Sequence, residues 1–117
     1  VPIDKPWLDG RGLKASELPG TVGVYELGDA DGVTIFIGYA GGRSLFGLRG
    51  VIGAHFGGDE PNPVIRERLT RFRYEVTTSY LTRQLDLLSR FNADHGGLPD
   101  ANVLSSDALP PLARFHS

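Results

Sequence analysis

β-Branched and aromatic residues crowd positions 21–27 and again 33–39, and the run Gly28-Asp29-Ala30-Asp31-Gly32 between them is rich in turn formers. This predicts two strands joined as an antiparallel hairpin. Asp29 and Asp31 serve the turn, because no acids follow at calcium-loop spacing. Leu45, Leu48, Ile52 and Phe56 recur at helical spacing behind Ser44, which predicts a helix capped by that serine. Gly47, Gly50 and Gly53 fall on its other side, each costing about 1 kcal/mol of helix propensity relative to alanine. Pro63 suits the first turn of a short helix over 63–70. Residues 72–77 alternate as a third strand, with Phe72, Tyr74 and Val76 on one face. Thr78 or Ser79 then caps a helix reaching about position 93, with Leu81, Leu85, Leu88 and Phe91 on one stripe.

The order strand, strand, helix, short helix, strand, helix predicts an α+β fold, a three-stranded antiparallel sheet flanked by helices. Residues 1–19 mix Pro2, Pro6 and Pro19 with glycines and read as an extended arm, pinned by Trp7 and Leu8 and turning once near Lys14 to Glu17. The domain proper is expected over 20–103. Beyond Gly96-Gly97 the chain reads as proline-rich and irregular, and 104–117 is expected to be an irregular tail.

Composition narrows the chemistry. The 117 residues fit one domain, and 40% hydrophobic with 22% charged residues is ordinary for a globular protein. No apolar run approaches a membrane span, and the expected location is cytoplasmic, with no membrane partner. The absence of cysteine excludes disulfides, thiolate nucleophiles and cysteine zinc sites. A formal charge of −2 disfavours unspecific nucleic-acid binding. Yet residues 43–90 carry eight arginines against five acids, so a local basic face is a candidate phosphate-binding surface.

Two triplets organise these elements: Gly23-Val24-Tyr25 on the first strand and Phe36-Ile37-Gly38 on the second. Together with the element order they resemble the paired signature of the GIY-YIG nuclease family, over about residues 20–103. Phe36 stands where that family usually has a tyrosine. The resemblance implies that Tyr25 activates water and that an arginine on the following helix binds phosphate. Arg49 is the best match and Arg43 the alternative, with His55 as the accompanying histidine. It also implies a glutamate on the later helix holding Mg²⁺ or Mn²⁺, but no glutamate stands there. Gln84 occupies the equivalent place: at about 100° per residue it lies on the buried stripe, whereas Asp86 lies opposite. An amide cannot neutralise a hard divalent cation as a carboxylate does. Pro99-Asp100-Ala101-Asn102 matches the family's Pro-x-x-Asn ending, making Asn102 a supporting residue.

The loop from Gly38 to Ser44 follows a strand and opens a helix as a P-loop does, but it is a residue short and carries Arg43 where a P-loop has lysine. Anion binding at the Ser44 helix start is compatible with either reading. Two functions remain open on the sequence. One is divalent-metal-dependent hydrolysis of nucleic-acid phosphodiesters at a degenerate site. The other is a noncatalytic module, binding nucleic acid or protein, that keeps the nuclease fold.

Overall fold

The computed structural model describes residues 3–104. Its elements are β1 (Leu8–Asp9), β2 (Gly23–Gly28), β3 (Thr34–Ala40), α1 (Gly47–His55), α2 (Pro63–Arg68), β4 (Arg71–Val76), α3 (Tyr80–His95) and α4 (Asp100–Leu104), with one 3-10 turn at Ala15–Glu17. The fold is α+β, and the sheet is antiparallel in the order β1-β4-β2-β3. It has four strands rather than three because the arm adds an edge. Leu8 pairs with Phe72 and Asp9 with Arg71, and Gly10 N–H donates to Thr70 O at 2.9 Å. A two-residue strand leaves no period in the sequence to detect.

Register assigns the two faces. Tyr25, Leu27, Phe36 and Phe72 share one face and pack with Leu48, Ile52 and Ile65 from α1 and α2. Val24 and Ile37 share the other and pack with Leu87 and Leu88 of α3. Tyr25 stands opposite Gly38 on β3, and its ring lies across that glycine. A Cβ on Gly38 would sit 2.5 Å from both Cζ and Oη of Tyr25. Gly23 is equally confined, since a Cβ there would lie 2.3 Å from Glu75 O. The glycines of both triplets are thus packing requirements.

Several local expectations shift. α1 begins at Gly47, and Ser44 does not cap it: Ser44 Oγ accepts Gly41 N–H instead, at 3.0 Å. The first-turn amides of Leu48 and Arg49 donate to Thr21 O (2.8 Å) and Pro19 O (3.0 Å), so the chain entering β2 caps this helix. Phe46, just before it, is held in the left-handed region at φ 63°, and Leu45 and Phe46 are exposed. In α3 the buried residues are Gln84, Leu87 and Leu88, while Leu81 is exposed. The packed stripe is therefore rotated away from the leucine repeat and centred on Gln84. Val76 is also exposed, lying at the end of β4.

After Gly97 the chain forms α4 rather than irregular structure. Asn102 on α4 is buried and clamps the outer edge of β3, its Oδ1 accepting Ile37 N–H at 2.8 Å and its Nδ2 donating to Ile37 O at 3.0 Å. That clamp covers backbone groups an edge strand otherwise exposes. The expected tail over 104–117 lies, after Leu104, outside the described residues, as do residues 1 and 2 of the arm.

The β2–β3 turn is built by Asp29. Its Oδ1 accepts the amides of Asp31 (2.9 Å) and Val33 (3.0 Å), and its Oδ2 accepts Arg68 at 3.0 Å. Burial pushes this carboxyl up, but the bonds from Arg68 and the two amides outweigh it and hold it below the usual carboxylate range. A depressed folded value contributes stability above the unfolded value of about 3.9, and the contribution is lost as pH falls through the folded value. Asp29→Asn is expected to flatten the acid limb of stability against pH below about pH 4, with little change in slope near neutrality; urea midpoints measured across pH check this. Gly38→Ala is expected to cost about 1–3 kcal/mol by overpacking against Tyr25, read from the same urea midpoints.

Candidate functional site

Crossing over Gly38, the Tyr25 ring delivers its hydroxyl to the C-terminal end of α1. Tyr25 Oη lies 2.7 Å from His55 Nε2. His55 Nδ1 bonds in turn to Glu60 Oε1, and Glu60 Oε2 accepts Asn62 N–H at 2.9 Å. Asn62 secures this end of the chain of bonds, since its Oδ1 caps α2 through Val64 N–H at 3.0 Å and its Nδ2 donates to Ala101 O at 3.0 Å. Tyr25 and Glu60 are buried and His55 is half-buried.

Burial raises the Tyr25 phenol far above its usual value, and the charge of Glu60 pushes it further. In the tautomer whose Nδ1–H donates to Glu60, His55 Nε2 is left to accept from the Tyr25 phenol. Both ring nitrogens are therefore committed. Phe36 closes the cluster from the side, its ring edge-on to His55 at 5.6 Å and tilted to Tyr25 at 6.1 Å. The missing hydroxyl of the second triplet is thus replaced by an aromatic wall.

Tyr25, His55 and Glu60 line an open groove of about 830 Å³. Its mouth is formed by the exposed Leu45 and Phe46, and Asp59 and Glu60 supply its negative charge. Among the described residues no lysine or arginine lines it.

Of the residues singled out in the sequence, the structure brings Tyr25 and His55 together. The others lie away from that pair, Gln84 and Asn102 meeting each other on Ile37 O. Arg49 half-buries its guanidinium against Gly20 and donates from Nε to Leu18 O at 3.0 Å, tying the arm to α1. Arg43 is exposed on the turn after β3, and Ser44 closes that turn. Gln84 reaches the outer edge of β3 from α3, donating Nε2 to Ile37 O at 3.3 Å beside Asn102. The helix start lies at Gly47 rather than Ser44, and its Leu48 and Arg49 amides are taken by Thr21 O and Pro19 O, not left for an anion. Glu60 escaped notice because 57–63 reads as a loop. Its one sequence signal is an acid five residues past a histidine that ends a helix.

A divalent metal is not matched by these residues. Gln84 offers a neutral amide where a hard cation favours a carboxylate, and both oxygens of Glu60 are engaged. Among the described residues no group of three or more histidines and carboxylates is placed to hold a metal ion. No helix among them is long and apolar enough to cross a membrane.

A family model described as a domain of unknown function, DUF7508, matches residues 1–94. The chain belongs to the DUF7508 family. The match takes in the whole sheet, α1, α2 and nearly all of α3, so Tyr25, His55, Glu60 and Gln84 fall within the DUF7508 domain, whereas Asn102 lies beyond it. No curated protein matches the chain.

If Gln84 serves the packing of β3, a carboxylate there is harmful. Gln84→Glu sets a carboxylate oxygen against Ile37 O and is expected to cost about 1–3 kcal/mol in urea unfolding, with no recovery on adding Mg²⁺ or Mn²⁺. Calorimetric metal binding by this variant would instead mark the position as a metal site.

Proposed function

We propose that this GIY-YIG-like domain is a noncatalytic protein-interaction module, engaging its partner through the groove above Tyr25, His55 and Glu60. The observation that carries this reading is the charge of that groove, which holds carboxylates and no lysine or arginine among the described residues. A phosphodiester entering it meets negative charge with no cation to offset it. The arginines of the basic stretch do not compensate. Six of the eight donate to backbone carbonyls or carboxylates: Arg49 to Leu18 O, Arg66 to Glu60 O, Arg71 to Ala30 O, Arg68 to Asp29 and Asp100, Arg73 to Glu26, and Arg83 to Glu75 and Asp86. The exposed Leu45 and Phe46, the latter held at φ 63°, give the groove the apolar mouth that a protein partner needs.

One observation favours the second reading, a nuclease. The Tyr25 hydroxyl is hydrogen-bonded to a histidine that leads on to a carboxylate, an arrangement suited to moving a proton. Cleavage assays separate the two. Purified protein with Mg²⁺ or Mn²⁺ is expected to leave supercoiled plasmid and labelled RNA intact, and a photo-crosslinker placed at position 46 is expected to capture a protein that Phe46→Asp no longer binds. Nicking that Tyr25→Phe and His55→Ala both abolish would overturn the interaction reading in favour of the enzyme.

A further inference from the structure

On the opposite face of the sheet, β2 points a second polar group into the protein. Glu26 is only 4% exposed and shares this face with Val24 and with Ile37, its cross-strand neighbour on β3. Its cross-strand neighbour on β4, Arg73, donates Nε to Glu26 Oε1 at 2.5 Å. Arg73 is held by two further contacts, with its guanidinium 4.3 Å above the Trp7 ring and its Nη1 donating to Lys5 O at 3.3 Å. That posture leaves Glu26 Oε2 without a hydrogen bond among the described residues. Oε2 is nevertheless not sealed in, because no fully buried side-chain oxygen or nitrogen there lacks a partner. Glu26 lines a cavity of about 300 Å³ on this face.

The cavity has the makings of a small-molecule site. Leu87 and Phe91 of α3 form an apolar wall, and Phe91 is stiffened by His95 stacked on it at 4.2 Å. Asp94 and Arg90 stand exposed in the lining, one carboxylate and one guanidinium, and Arg73 lines the cavity beside Glu26. A volume near 300 Å³ with one deep polar anchor and an aromatic side lies at the small end of ligand pockets. A buried carboxylate with one oxygen unpaired is costly unless a donor reaches it. Consistent with that, burial raises the Glu26 carboxyl, and the neighbouring Arg73 offsets only part of the rise.

The geometry points to a binding site for a small primary amine with an aromatic or apolar body, its ammonium on Glu26 Oε2 and its body against Leu87 and Phe91. Asp94 offsets the charge of Arg90 in the lining, and Arg73 keeps the Glu26 carboxylate oriented. This site is separate from the Tyr25 groove and does not depend on the function proposed for that groove.

Phenethylamine is the direct probe, with phenylacetate and phenylacetamide as anionic and neutral counterparts of the same shape. Titration of the full chain is expected to give saturable amide shifts at Gly32, Thr34, Phe91 and His95, with none at Gly50, Ala54 and Gly57 around the other groove. Phenylacetate and phenylacetamide are expected to bind more weakly. Glu26→Gln should weaken amine binding about tenfold by removing the charge-assisted bond. Should that variant unfold, Asp94→Lys, an exposed change at the rim, is expected to weaken the amine and strengthen phenylacetate. The proposal is overturned if phenethylamine gives no saturable shifts at the cavity, if phenylacetate or phenylacetamide binds as tightly as the amine, or if folded Glu26→Gln and Asp94→Lys proteins bind the amine as the wild type does.

Discussion

The close crossing of the Tyr25 ring over Gly38 is the constraint on which the candidate site depends. Nothing larger than hydrogen fits at position 38, because a Cβ would meet the phenol at 2.5 Å. The crossing aims the hydroxyl beyond the β2–β3 pair, and α1 must then end where its last residue, His55, can receive it. α1 is placed for this at its other end, where Thr21 and Pro19 carbonyls hold the first-turn amides and a left-handed Phe46 turns the chain. The same turn throws Leu45 and Phe46 into solvent at the groove mouth. One steric requirement in the sheet therefore sets both the polar floor of the groove and, through the helix, its apolar rim.

The electrostatics of the groove are what the proposed reading rests on. A fold can be kept while the chemistry grafted on it changes. Arg49, the expected phosphate ligand, holds a carbonyl of the arm, and Gln84 shares Ile37 O with Asn102 at the sheet edge. Both side chains join separate parts of the chain to the core. The groove is left with carboxylates and a phenol whose ionisation burial strongly disfavours. The two faces of the sheet thus carry distinct polar features: a closed chain of bonds ending at Glu60, and on the α3 side the half-satisfied Glu26.

Much of the fold was legible because its signals are local. The hairpin, the Pro63 helix, the third long strand and α3 follow from turn residues, a proline at a helix start and apolar periodicity. Where reading failed, a distant partner had intervened. The leucine repeat of α3 predicts an inward Leu81, which is exposed; Gln84 is inward as its helical position predicts, but its partner at the unpaired edge of β3 was not legible. Ser44 looks like a cap, yet carbonyls more than twenty residues earlier in the chain take that role. In the candidate site Tyr25 and His55 were visible as residue types, while Glu60 was hidden in a loop whose course only packing fixes.

By itself the sequence determined the α+β class, the β2–β3 hairpin and the pairing of its two triplets, because strand alternation, turn chemistry and glycine positions act over a few neighbouring residues. The tertiary structure decided what the polar side chains do. A hydrogen bond or an ion pair requires a partner within a few ångströms, and for Tyr25, Arg49, Gln84, Asn102 and Glu26 that partner lies 30 to 65 residues away along the chain. Composition names the groups available; only the folded chain selects which of them meet.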